Sequence, residues 1–412
     1  MTTRAEKIIS RIDALAALSD QPGMISRVFG TPAFVSASNM FVQWFTEAGL
    51  STRIDNIGNV RGRLTCSTAN SKTFVIASHF DTVINAGKFD GPLGIVMGLD
   101  IIEQLIAEKI ELPFNIELIA FSDEEGVRYH STFLGSKVVT GTFDETLLNK
   151  KDNREIPLSQ AITEIGGDVA KLKRDKIPTG EWLGYFEIHI EQGPILFEAG
   201  IPVAGVSAIA GQKRATITCV GEAGHAGTVP TNMRRDALCC AADCILQLEY
   251  FAKTHVNIVA TVGTLHISNA ASNVIPGNVE FTLDVRSDDE DALDTAWHDI
   301  RSLVTSIGHK RNIDTQLDLV QSSLPVKCDY TLNFLLKRAI AELGYEVKEL
   351  VSGAGHDAVP ISAVSPVSMM FVRCYKGISH NPAENVEIKD IEAAITVADH
   401  FILHLIKYYK QE

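Results

Sequence analysis

Four apolar runs constrain this chain more than anything else in it: FVIASH (Phe74 to His79), NIELIAF (Asn115 to Phe121), YFEIHI (Tyr185 to Ile190) and VSMMFV (Val367 to Val372). Each is the length of a strand and too uniformly apolar to keep one face in water. Strands of that kind belong in an α/β sheet covered on both sides, and helical patterns such as Pro92 to Glu108 supply the cover. The first three runs end in residues able to do chemistry: His79 and Asp81, then Asp123 to Glu125, then His189 to Gln192. Open α/β sheets gather ligands just beyond the carboxyl ends of their strands.

At 412 residues the chain exceeds what one hydrophobic core organises, roughly 250–300 residues. The pattern changes near Gln212 to RATITCV, a helix from Arg234 to Lys253, a strand near Asn257 to His266, the alternating strand NVEFTLDV, a helix from Asp288 to Ile307 and a last strand near Thr315 to Val320. Strand, helix, two strands, helix, strand is a ferredoxin-like order. The sequence predicts a first domain part over 1–211, an insertion over 212–325, and a return to the first sheet over 326–412. The return carries a helix from Tyr330, the VSMMFV strand, His380 and a helix from Asp390.

Taken singly, a histidine, a Glu-Glu pair or a glycine-rich turn signifies little. Their repetition at strand ends is what points to chemistry. Two metal ions about 3.5–4 Å apart need carboxylates to bridge and neutralise them and neutral imidazoles to set geometry. His79, Asp90, Glu125, His189 and His380 supply that set. Asp81 is placed to hold the His79 imidazole, and Glu124 to take a proton from the attacking water.

A formal net charge of −14 argues against a nucleic-acid surface, which needs a basic stripe. Seven cysteines without a CxxC pair read as reduced, buried thiols. The amphipathic N-terminal stretch lacks the apolar core of a secretory signal, and no window has the ~18 apolar residues of a membrane span. A cytoplasmic location without membrane contact is expected.

Eight ordered blocks then resemble the M20 metallopeptidase superfamily: SHFDTV (from Ser78), GKFDGPLG (from Gly87), FSDEEGVRYHSTFLGS (from Phe121), EIHIEQGPIL (from Glu187), GHAGTVP (from Gly224), ASNVIPG (from Ala271), GAGHDA (from Gly353) and GISHNPAE (from Gly377). They are most similar to its amidase branch of allantoate amidohydrolases and N-carbamoyl-L-amino-acid hydrolases, from about Met40 to the C-terminus. The resemblance implies an α/β, mixed-sheet dinuclear-metal hydrolase domain with an inserted ferredoxin-like α+β lid and dimerisation domain. It implies that His79, Asp90 and His189 hold one divalent ion and Asp90, Glu125 and His380 the other. Manganese or zinc is expected, and cobalt is admissible. Glu124 matches the general base, and Gln192, His225, Asn273, Arg286 and Gly355 match substrate contacts.

His189 stands where many peptidase relatives carry a carboxylate, which favours an amidase. Arg286 suits a bidentate grip on a substrate carboxylate, and His225 suits donation to a developing oxyanion. The implied reaction is hydrolysis of a small ureido-carboxylate, with allantoate favoured, and N-carbamoyl-L-amino acids or β-ureidopropionate as alternatives. A non-catalytic ligand-binding module would be expected to have lost Glu124 or a ligand. The insertion exposes a strand edge near Asn257 to His266, and the resemblance implies a homodimer in which His225 serves the partner's metals.

Overall fold

The computed structural model describes residues 2–67 and 71–411; Met1, the first residue of the amphipathic N-terminal stretch, lies outside the described residues. That stretch forms helix Arg4–Ala16, capped by Thr3 and burying Ala5, Ile8, Ile12 and Leu15. The chain forms two compact units, Ala208–Lys327 and the segments on either side of it.

Strands β1 (Ser51–Ile54), β2 (Val60–Leu64), β3 (Thr73–His79), β4 (Asn115–Phe121), β5 (Trp182–Ile190) and β6 (Val203–Ile209) lead up to the second unit. It contributes β7 (Gly211–Val220), β8 (Gly224–His225), β9 (Val259–Thr261), β10 (Leu265–Ile267), β11 (Val274–Ile275), β12 (Asn278–Ser287), β13 (Asp314–Ser323) and β14 (Val326–Lys327). Then come β15 (Glu349–Ser352) and β16 (Val367–Val372).

The larger sheet has nine strands in the order β1-β2-β4-β3-β5-β16-β6-β14, with β15 also on β6. It is mixed: β4, β3, β5 and β16 are mutually parallel, while β2 and β6 pair antiparallel to this block. Every residue of β3, β4 and β16 is buried, which is why those runs have no polar alternation. Register sets His79 beside Phe121 and His189 beside Phe371, so the four parallel strands finish along one edge.

Helix Pro92–Ala107 is buried without interruption from Pro92 to Ile102. It rests on β3 and β5 and is covered by helices Arg4–Ala16 and Ile388–Gln411, so its stretch from Pro92 to Leu99 can be apolar all round. Arg4 ties the three helices together, its Nε donating to Asp100 at 2.7 Å and its Nη2 to Asp399 at 3.1 Å.

In the second unit, β10-β12-β7-β13 form an antiparallel sheet with β9 also on β12. Helices Ala237–Thr254 and Glu290–Arg311 pack on it over a core that includes Ile217, Val279, Phe281 and Ile300. The alternating burial of β12 shows one face turned to that core. The single strand expected near Asn257 to His266 is in fact two. β9 pairs with Asp284–Arg286 and β10 with Val279–Phe281. Between them Thr264 donates its N–H to the Thr282 hydroxyl at 3.1 Å in place of a ladder carbonyl. The helix expected from Arg234 starts at Ala237, where Asp236 accepts from the N–H groups of Leu238 and Cys239. The one expected from Asp288 starts at Glu290 behind Asp289. Cap chemistry sets these starts, and apolar periodicity cannot register it.

Candidate metal centre

His79 is the last residue of β3. Its Nδ1 lies 3.1 Å from the main-chain oxygen of Asp81, and Nδ1 of His189 lies 2.9 Å from the main-chain oxygen of Ile190. A carbonyl can only accept, so both rings carry a hydrogen on Nδ1; burial opposes a second proton, but the neighbouring carboxylates favour one at Nε2, the position a cation would take in its place. Those two Nε2 atoms face each other at 3.4 Å. Asp90 Oδ1 lies 3.1 Å from the His189 Nε2 and 3.7 Å from the His79 Nε2, and it is buried without a hydrogen-bond partner. Two imidazole Nε2 atoms and a buried carboxylate oxygen aimed at one point are the arrangement a cation completes.

On the other side of Asp90, Oδ2 lies 3.1 Å from His380 Nε2, which lies 3.1 Å from Glu125 Oε1. Ligand atoms of His79, Asp90 and His189 fall within 4.8 Å of one another, as do those of Asp90, Glu125 and His380. Asp90 belongs to both groups, as a bridging carboxylate must. The mixed nitrogen and oxygen donors fit a pair of divalent ions of the zinc or manganese type.

The surroundings hold the ligands from several directions. Asp90 precedes helix Pro92–Ala107 through Gly91, whose φ of +82° suits glycine; a Cβ there would lie 2.5 Å from the His79 carbonyl oxygen. Glu384 accepts from the N–H groups of Phe89 and Asp90 at 2.7 and 3.1 Å. The Ser379 hydroxyl lies 2.8 Å from Asp90 Oδ2, to which Gln192 Nε2 donates at 3.1 Å. The sequence assigned the Asp81 carboxylate to the His79 ring, but they stand 3.7 Å apart, too far for a hydrogen bond. The carboxylate instead accepts from the main-chain N–H groups of Glu124 and Glu125 at 3.0 and 3.1 Å, and the Asp81 carbonyl takes the imidazole. Asp81 therefore orients all three neighbours, two of them through its side chain.

Burial raises the Glu124 carboxyl well above the usual range, and the nearby charges of Glu125, Asp357 and Asp81 add to this against the pull of His79. Asp90 moves the opposite way: against the cost of burial, the imidazoles of His189, His380 and His79 hold it well below its ordinary value. His380, between Asp90 and Glu125, is pushed up to about 10. The pocket thus favours positive charge at its centre and a proton-accepting group of raised basicity at its edge.

Of the remaining expected site residues, Gln192 and Gly355 lie in the first unit. A Cβ on Gly355 would come within 2.8 Å of the Phe133 ring. His225, Asn273 and Arg286 lie in the second unit. His225 and Asn273 are neighbours there, since β8 pairs with β11 and Ala226 donates to the Asn273 carbonyl. Gly227 N–H donates to Nδ1 of His225 at 3.0 Å, leaving an exposed Nε2–H. Arg286 grips Asp284 through Nε and Nη2 at 2.8 and 2.9 Å.

Sequence reasoning passed over Ser379, Glu384 and His356, although each stands in a block quoted for its other residues. The buried His356 packs edge-on against the His189 ring, 4.6 Å between centroids. Burial and the two neighbouring histidines hold it well below its ordinary value, as a neutral ring. The available signal was a polar residue with no reason to face solvent one to four positions from a proposed ligand or contact.

Residues 75–404 match peptidase family M20/M25/M40. The chain belongs to that family. Within M20 it falls in the hydantoinase/carbamoylase amidase branch and is a hydrolase. It is 38% identical over 436 residues to allantoate deiminase 2 of Glycine max, covering 97% of this chain and 89% of that protein. It is 34% identical over 403 residues to an N-carbamoyl-L-amino acid amidohydrolase of Geobacillus stearothermophilus, covering 98% of each. A hydantoinase/carbamoylase family amidase from Burkholderia multivorans superposes with a TM-score of 0.90 at 33% identity over 97% of both chains. Among the described residues no helix is long and apolar enough to cross a membrane.

Proposed function

We propose that this M20 amidase hydrolyses a linear ureido C–N bond next to a carboxylate, and that allantoate is its substrate, converted with one water to ureidoglycine, ammonia and carbon dioxide. The observation that carries the reading is the convergence of three imidazole Nε2 atoms on Asp90, with the Glu124 carboxylate grouped with His79 and Glu125 beside them. Two divalent ions held by His79, Asp90 and His189, and by Asp90, Glu125 and His380, would polarise the scissile carbonyl and acidify the attacking water. Glu124 accepts the proton of that water and returns it to the leaving nitrogen. Its place beside His79 and Glu125 suits both halves of the transfer.

In this reading His225, Asn273 and Arg286 of the second unit, with Gln192 of the first, supply the groups that recognise and stabilise. Its strand order, with β7 and β12 central and antiparallel, supports a ferredoxin-like lid and dimerisation domain. The tautomer of His225, with Nε2–H outward, is the one an oxyanion donor needs. Asp284 fixes the plane of the Arg286 guanidinium, and Arg286 is the proposed clamp for the substrate carboxylate. Gln192 and Asn273 offer amides to the ureido end. We place His225 of one chain at the metals of its partner in a two-fold homodimer. Co-expressing His225→Ala with Glu124→Gln then yields heterodimers with one intact site and measurable turnover, whereas action within one chain leaves every site defective.

The length of the match to the Geobacillus relative supports N-carbamoyl-L-amino acids as the second reading. Turnover of allantoate and of several N-carbamoyl-L-amino acids by manganese-loaded protein, compared as kcat/KM, decides between them. A preference for the carbamoyl compounds rejects the allantoate assignment and leaves the ureido hydrolase standing.

A further inference from the structure

Away from the imidazole–carboxylate centre, one other group of described side chains with metal-ligating capacity meets at a point: the thiols of Cys219, Cys240 and Cys244. Cys219 projects from β7, and Cys240 and Cys244 sit one turn apart on helix Ala237–Thr254, which packs on that strand. All three are fully buried in the core of the second unit. Their sulfur atoms lie within 4.8 Å of one another.

We propose that this triad is a three-coordinate site for a soft monovalent cation of the copper(I) class. With metal–sulfur bonds of about 2.3 Å, three sulfurs in a trigonal plane are about 4.0 Å apart, inside the observed limit. No fourth His, Cys, Asp or Glu joins the group among the described residues, so the four-coordinate closure that structural zinc demands is missing. Thiolates select soft ions, whereas the imidazole–carboxylate centre selects harder ones.

Binding one monovalent ion to three thiolates releases three thiol protons to solvent. Because the triad is sealed between helix and sheet, entry requires the helix to lift and uptake is slow. The neighbouring Cys239, on the exposed side of the same helix, is the internal control.

The test uses the full chain saturated with manganese and titrated with copper(I) held by a chromogenic chelator. One equivalent per chain is withdrawn from the chelator, and X-ray absorption shows a shell of three sulfurs and no nitrogen or oxygen. Cys219→Ala, Cys240→Ala and Cys244→Ala each lose that equivalent while keeping wild-type circular dichroism and hydrolytic rate. Cys239→Ala retains it. Failure of the wild type to compete with the chelator, retention by folded triad variants, or loss in Cys239→Ala would each overturn the proposal. Should an alanine variant fail to fold, the absorption spectrum of the wild-type complex decides alone, and any shell other than three sulfurs rejects the site.

Discussion

Replacing Asp81 by asparagine separates two accounts of how the centre is held. The Asp81 carboxylate is fully buried and accepts from Glu124 N–H at 3.0 Å and Glu125 N–H at 3.1 Å. These bonds hold a turn whose preceding residue, Asp123, sits at φ +52°, a conformation that persists only under external constraint. Hydrogen bonds to a charged acceptor contribute about 1.5–3 kcal/mol each, and a buried donor left unpaired costs about 1–3 kcal/mol more. Asparagine keeps one acceptor and turns an amide nitrogen toward the other N–H, so the turn loses one bond and strands one donor, about 2.5–6 kcal/mol together. The turn relaxes and both glutamates move. A displacement near 1 Å at a reacting group lowers rate by about 100-fold. The Asp81 carbonyl, which holds His79, is untouched.

Asp81→Asn is therefore expected to lose at least about 100-fold in kcat, to keep the ion at His79, Asp90 and His189, and to bind the ion at Glu125 and His380 weakly. Steady-state kinetics with metal content by mass spectrometry reads all three. Wild-type kcat, or loss of the ion on the His79 side with the other retained, would refute the reasoning and return the carboxylate to the imidazole.

Glu124→Gln should keep both ions and substrate binding while losing about 10²–10⁴-fold in rate, whereas Glu125→Gln should lower occupancy at one site; equal metal loss in both contradicts the division of labour. Chelation should abolish turnover and leave far-ultraviolet circular dichroism nearly unchanged, because the sheet carrying the ligands has its own apolar core, and manganese, zinc or cobalt should restore the rate. Full activity in metal-free protein would remove the metals from the reaction. Arg286→Lys should raise KM and lower kcat/KM for carboxylate substrates, since a point charge cannot reproduce a planar fork; an unchanged kcat/KM takes Arg286 out of the site.

What the sequence by itself determined is the central sheet and the positions after its strands. Runs such as NIELIAF and VSMMFV are buried from end to end, and burial on both faces leaves a composition readable without coordinates. His79, the Asp123–Glu125 turn and His189 follow directly, because parallel strands finish along a common edge. The break between β9 and β10 was not legible, since it depends on the Thr282 hydroxyl reaching Thr264 from another strand. Nor was the support of Asp90 by Glu384, which stands 294 residues away in the chain, or the true partners of Asp81. The thiol triad joins a strand to a helix with no spacing rule to announce it. Local pattern encodes which residues leave water, whereas the pairing of one buried polar atom with another depends on where distant segments come to rest, and only the folded chain decides that.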